Sequence, residues 1–121
     1  MSALNENSFN TLLDDIKIIS KAVKILRDEH NPVSRKYSCN LVNDLLLRLS
    51  RDIDGIIPTL VKYDHDKLLF DLEIIKDSVQ IVRDENNPVN REFACGLVEK
   101  LVNKLFSDMQ EMKEIVKENN E

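Results

Sequence analysis

Apolar residues recur along this chain at alternating spacings of four and three, the pattern of helices that bury one face. In the first segment this spacing joins a single stripe: Leu12, Ile16, Ile19, Val23 and Leu26. We expect Ile18, Ala22 and Ile25 to widen the stripe, so that the helix contacts two neighbours. Ser8 is the predicted N-cap of this helix.

A second helix is predicted to begin at the Asn31-Pro32 step. Asn31 suits the N-cap because a residue before proline is extended, and Pro32 suits the first turn, where its missing N–H costs nothing. Gly55, a candidate left-handed cap, and Pro58 supply the stop signals. The predicted core face comprises Val33, Tyr37, Leu41, Val42, Leu45, Leu46, Leu49, Ile53 and Ile56.

The second half of the chain repeats the first. The run from Arg27 to Arg35, RDEHNPVSR, recurs fifty-six residues later as RDENNPVNR, from Arg83 to Arg91. A third helix is predicted after the N-cap Asp64, with core residues Leu68, Leu69, Leu72, Ile75, Val79 and Val82. A fourth, continuing to about Val116, has core residues Val89, Phe93, Leu97, Val98, Leu101, Val102, Leu105, Met109 and Met112.

Nearly half of the aligned positions are identical, which predicts two copies of a helical hairpin. The repeats span 8–55 and 64–111, with a linker at 56–63, in one domain of 121 residues. Two copies are too few for a solenoid, so the hairpins are expected to close on each other. The predicted fold is therefore an all-α, four-helix up-down-up-down bundle.

Composition narrows the class of protein. Hydrophobic residues make up 42%, charged residues 32% and aromatic residues 5%, as in long amphipathic helices. The net charge of −5, with no basic run longer than two, argues against a nucleic-acid partner. No apolar stretch approaches the roughly 18–20 residues that span a bilayer, and the N-terminus lacks the features of a secretory signal. We therefore expect a cytoplasmic protein.

Motifs of catalysis and metal binding are missing from the sequence. Cys39 and Cys95 fall at equivalent apolar positions, which predicts reduced core residues rather than a disulfide or zinc site. Neither a Glu-x-x-His pair nor a Gly-rich phosphate loop occurs. His65 lacks the following Lys-Gly of a phosphotransfer histidine and lies at a helix start. The sequence thus predicts no enzyme and no cofactor.

Charged residues of the repeated run are candidate partner-binding residues. This tip motif comprises Arg27, Asp28, Glu29 and Arg35, with counterparts Arg83, Asp84, Glu85 and Arg91. Their identities match although nearby charges invert, as at Lys36 against Glu92. One interpretation is structural: Asp28 or Glu29 pairs with Arg35 across the turn, and Arg27 with Asp84 between hairpins. The other is a docking surface at this end of the bundle.

Departures from the repeat give further candidates. Phe70 and Phe106 stand where the first half has Asp14 and Ser50, so both are expected to lie outside the shared core and to be partly exposed. Helix four also continues beyond the repeat with Met109, Met112 and Ile115, an apolar strip that is another candidate contact. Gly96 lies inside a helix at a cost of about 1 kcal/mol, which close approach of another helix would explain.

These features favour a non-catalytic interaction or adaptor module that binds another protein. A small acidic inhibitor, such as an immunity protein, antitoxin or phage-encoded antagonist, is the alternative. A phosphotransfer or metal-dependent helical enzyme is the third reading, and a homodimer is left open.

Overall fold

The computed structural model describes residues 6–56 and 65–120, which form four α-helices. These are α1 (Glu6–Asp28), α2 (Pro32–Ile56), α3 (His65–Asp84) and α4 (Pro88–Asn120). Helix α1 packs against α2 and α4, and α3 packs against the same two neighbours, so α2 and α4 lie on a diagonal. The predicted four-helix bundle is confirmed.

The stripes predicted for α1 and α3 form much of the core. All five stripe residues of α1, from Leu12 to Leu26, are buried. The predicted core residues of α3 are buried as well, except Leu69, which is partly buried. Widening of the α1 face is confirmed for Ala22 but wrong for Ile18 and Ile25, whose side chains are exposed. Each of these isoleucines precedes a buried residue by one position and is therefore turned about 100° from it.

Several predicted helix ends are wrong. Helix α1 begins at Glu6, so Ser8 lies inside it rather than at the N-cap. Helix α2 continues through Gly55, and no glycine of the described segments has a positive φ, so the left-handed cap is absent there. Helix α4 extends past Val116 to Asn120. Asp64, Pro58 and nearly all of the predicted linker lie outside the described residues.

The N-cap predicted at Asn31 is confirmed, and the structure shows the same cap at Asn87. The side-chain Oδ1 of Asn31 accepts hydrogen bonds from the backbone N–H groups of Val33, at 2.9 Å, and Ser34, at 3.3 Å. Asn87 caps α4 in the same way, through Val89 and Asn90. These bonds satisfy backbone donors that have no partner within the helix. The chain therefore reverses sharply at both turns, and α2 and α4 begin at the same end of the bundle.

Candidate protein-binding surfaces

Arg35 is buried at the turn end of the bundle, with 1% of its surface exposed. Its Nη1 donates to the backbone carbonyls of Glu29, at 3.1 Å, and His30, at 3.0 Å, just after α1. Its Nε donates to the carbonyl of Arg83 on α3 at 3.1 Å, and Nη2 to Asn86 Oδ1 at 2.9 Å. The cation thus lies on the carbonyl ends of two helices, where the helix dipole favours positive charge.

Arg91 makes the corresponding contacts from α4. Its Nη1 donates to the carbonyls of Glu85 and Asn86, each at 3.2 Å, and its Nε donates to the carbonyl of Arg27 at 3.5 Å. Its Nη2 lies 3.4 Å from Nδ1 of His30. The two arginines therefore cross-link the hairpins in both directions. These matched contacts fit a repeated hairpin, although the duplication itself stays a prediction.

The predicted pairing of the tip carboxylates is wrong. Asp28 pairs with the preceding Arg27 at 2.8 Å rather than with Arg35, and Asp84 pairs with Arg83 at 2.7 Å rather than with Arg27. In each pair the guanidinium hydrogen bond holds the pKa of the aspartate below its usual range. Arginine side chains and backbone carbonyls join the hairpins instead. These carbonyls lie at the C-terminal ends of helices and accept no hydrogen bond within their own helix, so they are available to the arginines.

The remaining acidic residues of the tip motif shape the turns. Oε1 of Glu29 accepts the backbone N–H of Asn31 at 3.0 Å, and Oε1 of Glu85 accepts that of Asn87 at 3.0 Å. Contacts within the chain thus account for all eight charged tip residues. The valine of each run is different, because it is apolar and its side chain is nevertheless exposed to solvent.

Two exposed apolar strips begin at these valines. We call Val33, Tyr37 and Leu41 the α2 strip, and Val89, Phe93 and Leu97 the α4 strip. The aromatic residues are the most exposed, at 73% for Tyr37 and 77% for Phe93. The sequence placed all six residues in the core, and for all six that prediction is wrong.

Helical geometry explains the error. Along α2 the buried line runs through Arg35, Cys39, Val42, Leu46, Leu49 and Ile53. Tyr37 precedes Cys39 by two residues and is therefore turned about 200° from it, onto the opposite face. The same holds for Phe93 and Cys95. Because α2 and α4 lie on a diagonal of the bundle, their strips face away from each other, on opposite sides of the molecule.

The other apolar candidates separate into exposed and buried residues. Phe70 is 64% exposed, as predicted. Phe106 is partly buried against the core, lines the groove between α1 and α4, and has Lys17 Nζ 5.7 Å from its ring centroid. Met109 and Met112 are fully buried, so the prediction that they form a contact strip is wrong. They extend the core because α4 continues on the line of Leu105.

Among the described residues, the ion pairs Asp15–Arg48 and Asp71–Lys104 join neighbouring helices and were not predicted from the sequence. Asp15 of α1 is 3% exposed and accepts hydrogen bonds from both Nε and Nη2 of Arg48 on α2. Asp71 of α3 pairs with Lys104 of α4 at 3.3 Å and is more exposed. The signal was present, because Asp15 lies between the stripe residues of α1, where a carboxylate needs a partner.

Both cysteines are free and buried, as predicted. The Cys95 thiol donates to the carbonyl of Val23 at 3.7 Å and lies 3.8 Å from Oε1 of Glu99. Burial, together with the negative charge of Glu99, raises the pKa of the Cys95 thiol to about 11. Burial raises the pKa of Cys39 as well. A protonated thiol is a poor nucleophile and a poor metal ligand.

Across residues 6–56 and 65–120, no three His, Cys, Asp or Glu side chains come close enough together to hold a metal ion. Over the same segments no helix has an apolar run long enough to cross a bilayer. Comparison with protein-family models, curated proteins and solved structures gives no significant match.

Proposed function

We propose that the protein is a non-catalytic, cytoplasmic interaction module that binds other proteins through the α2 and α4 strips. The observation that carries this proposal is that both strips hold large apolar side chains on the face turned away from the core. Exposed apolar side chains at i, i+4 and i+8 form a continuous ridge on one helix face, and such a ridge suits another helix.

Internal contacts make the tip motif a weaker candidate. Stability explains why both halves have an arginine at this position. Arg35 and Arg91 are each buried, and their guanidinium groups donate hydrogen bonds to backbone carbonyls. It does not explain Tyr37 and Phe93, whose exposed rings contribute little to the core. An aromatic residue flanked by two aliphatic residues provides an anchor of the kind that dominates protein–protein affinity.

Affinity capture from native lysate tests the proposal. The double variant Tyr37→Ser/Leu41→Ser and its counterpart Phe93→Ser/Leu97→Ser are compared with the wild type. Ile81→Ser is the matched control, because Ile81 is an exposed apolar residue, 59% accessible, outside both strips. We expect captured proteins to be lost with at least one strip variant and retained with the control.

Two results would contradict the proposal. The first is retention of every captured protein by both strip variants. The second is loss of those proteins with Arg27→Ala/Arg83→Ala at unchanged thermal stability, which would place binding at the tip. Binding through apolar strips also predicts little dependence on salt, whereas an acidic inhibitor would release a basic partner as salt rises.

A further inference from the structure

Gly96 lies beside the α4 strip, between Phe93 and Leu97 along the helix, and no contact described so far explains it. Glycine inside a helix costs about 1 kcal/mol relative to alanine. Apart from the adjoining backbone of α4, no atom of the described residues lies within 4 Å of a Cβ built at Gly96, so packing among those residues does not require glycine there. Around Gly96 the helix surface forms a shallow depression of about 400 Å³, lined by Val89, Phe93 and Leu97. This surface has room for a second backbone.

Two opposite charges flank this depression at equal distances. Glu92 precedes Gly96 by four residues and Lys100 follows it by four, so each lies about 6 Å along the axis from the glycine. Both side chains line the depression. Neither takes part in any ion pair found within the described segments. Two charges are thus exposed and uncompensated beside an apolar surface.

We infer that the α4 strip is a homodimer interface, in which α4 of a second copy crosses antiparallel at Gly96. A twofold axis through Gly96 places Glu92 of each copy beside Lys100 of the other, and it sets one Phe93 ring on either side of the paired glycines. Such an interface is self-complementary, as a twofold dimer requires. This extends the proposed function, because it assigns an occupant to one strip.

The α2 strip is a poorer candidate for self-association. Asn40 stands at the position equivalent to Gly96, and its exposed polar side chain occupies the centre of that face. Lys36, which corresponds to Glu92, lies near Asp84 and contributes to the lowered pKa of that carboxyl. In the dimer both α2 strips therefore stay free, on opposite outer faces, and each is open to another partner.

The dimer is expected to be weak. One helix pair crossing over three turns buries less surface than the roughly 1,200 Å² at which stable interfaces begin. Sedimentation equilibrium over a concentration series from low micromolar to millimolar is the appropriate measurement. We expect the wild-type mass to rise toward twice that of the 14.0 kDa chain.

Charge swaps test the antiparallel register. The dimer has two equivalent contacts, each between residue 92 of one copy and residue 100 of the other. In Glu92→Lys both contacts bring two positive charges together, and in Lys100→Glu both bring two negative charges together. The dimer of each variant alone should therefore dissociate about tenfold more readily. An equimolar mixture of the two should associate as well as the wild type, because every contact then pairs opposite charges. Lys36→Glu on α2 is the matched control and should leave the wild-type mass unchanged.

Gly96→Ala separates the interface from helix stability. Alanine raises helix propensity, and its Cβ meets no described residue beyond the adjoining backbone of α4, so the variant should melt higher while its dimer weakens. The inference is overturned if the wild type stays monomeric throughout, if Glu92→Lys associates like the wild type, or if the mixed variants do not associate. A monomeric wild type that loses captured proteins through Phe93→Ser/Leu97→Ser would overturn the dimer and leave the proposed function intact.

Discussion

The guanidinium of Arg35 lies 3.1 Å from the backbone carbonyl of Arg83, on the opposite hairpin. This bond places a side chain from the first turn of α2 on the end of α3. Arg91 reaches the carbonyl of Arg27 from the other side, over a longer 3.5 Å. A positive charge in the first turn of a helix is unfavourable for that helix, and here it is offset by the carbonyls of two others.

Replacement of Arg35 is expected to destabilise the fold. Arg35→Met keeps much of the buried volume but removes the donors from four acceptors, so the free energy of unfolding should fall by about 3 kcal/mol. Arg91→Met should cost less, because its contacts are longer. Urea denaturation measures both. Arg27→Ala is the control and should move the midpoint little, since Arg27 forms only an exposed pair.

An equal loss of stability in Arg27→Ala and Arg35→Met would contradict this account. It would mean that the exposed Arg27–Asp28 pair stabilises the turn as much as the buried guanidinium does.

Serine substitutions in the strips are expected to leave stability nearly unchanged. Tyr37→Ser and Phe93→Ser each remove a mostly exposed ring, so the free energy of unfolding should change by less than about 0.5 kcal/mol. Leu49→Ala on the buried face of α2 should instead cost about 3 kcal/mol. Circular dichroism during urea denaturation compares the three. A large loss in Tyr37→Ser would mean that the strip belongs to the core.

The two ion pairs between helices should differ in their contribution. Arg48→Ala leaves the carboxylate of Asp15 buried without its partner, so its melting temperature should fall by several degrees. Lys104→Ala leaves Asp71 with more access to water, and a smaller decrease is expected. Differential scanning calorimetry measures both. The reverse order of melting temperatures would show that burial of Asp15 is not the deciding factor.

Alkaline pH is expected to weaken the fold through Cys95. Its pKa is about 11 in the folded protein against an ordinary 9.0, so the folded state retains a proton that the unfolded chain releases. This contribution is fully present below about pH 9 and is lost as pH rises toward 11. The difference in urea midpoint between the wild type and Cys95→Ala should therefore shrink over that range. A constant difference would mean that the thiol does not titrate with folding.

The turns and the stripes of α1 and α3 could be predicted because the sequence is compatible with only one local arrangement at each of them. Asn31-Pro32 has one favourable arrangement, an N-cap followed by the first helical residue. Leu12, Ile16 and Ile19 fit only one helical face.

The N-terminal halves of α2 and α4 could not be assigned by apolar spacing, because apolar residues occupy both faces. Tyr37 and Leu41 fit a stripe at i, i+4, and Cys39 and Val42 fit one at i, i+3. Apolar spacing alone assigns all four to the core, although Cys39 and Leu41 are turned about 200° from each other and cannot both face it. What no pattern showed is that a charged residue, Arg35, takes the buried position beside the turn, since its acceptors come from a helix distant in sequence.

The crossed arginines also bear on cooperativity. Neither hairpin completes the ends of its own helices, because Arg35 of the first supplies a donor to α3 and Arg91 of the second supplies one to α1. Half of the chain folding alone would retain open carbonyls at the turn as well as half a core. Amide hydrogens in both hairpins should therefore exchange through one common opening. If the chain were cleaved between residues 57 and 64, the two fragments should still associate, because each supplies an arginine to a helix end of the other.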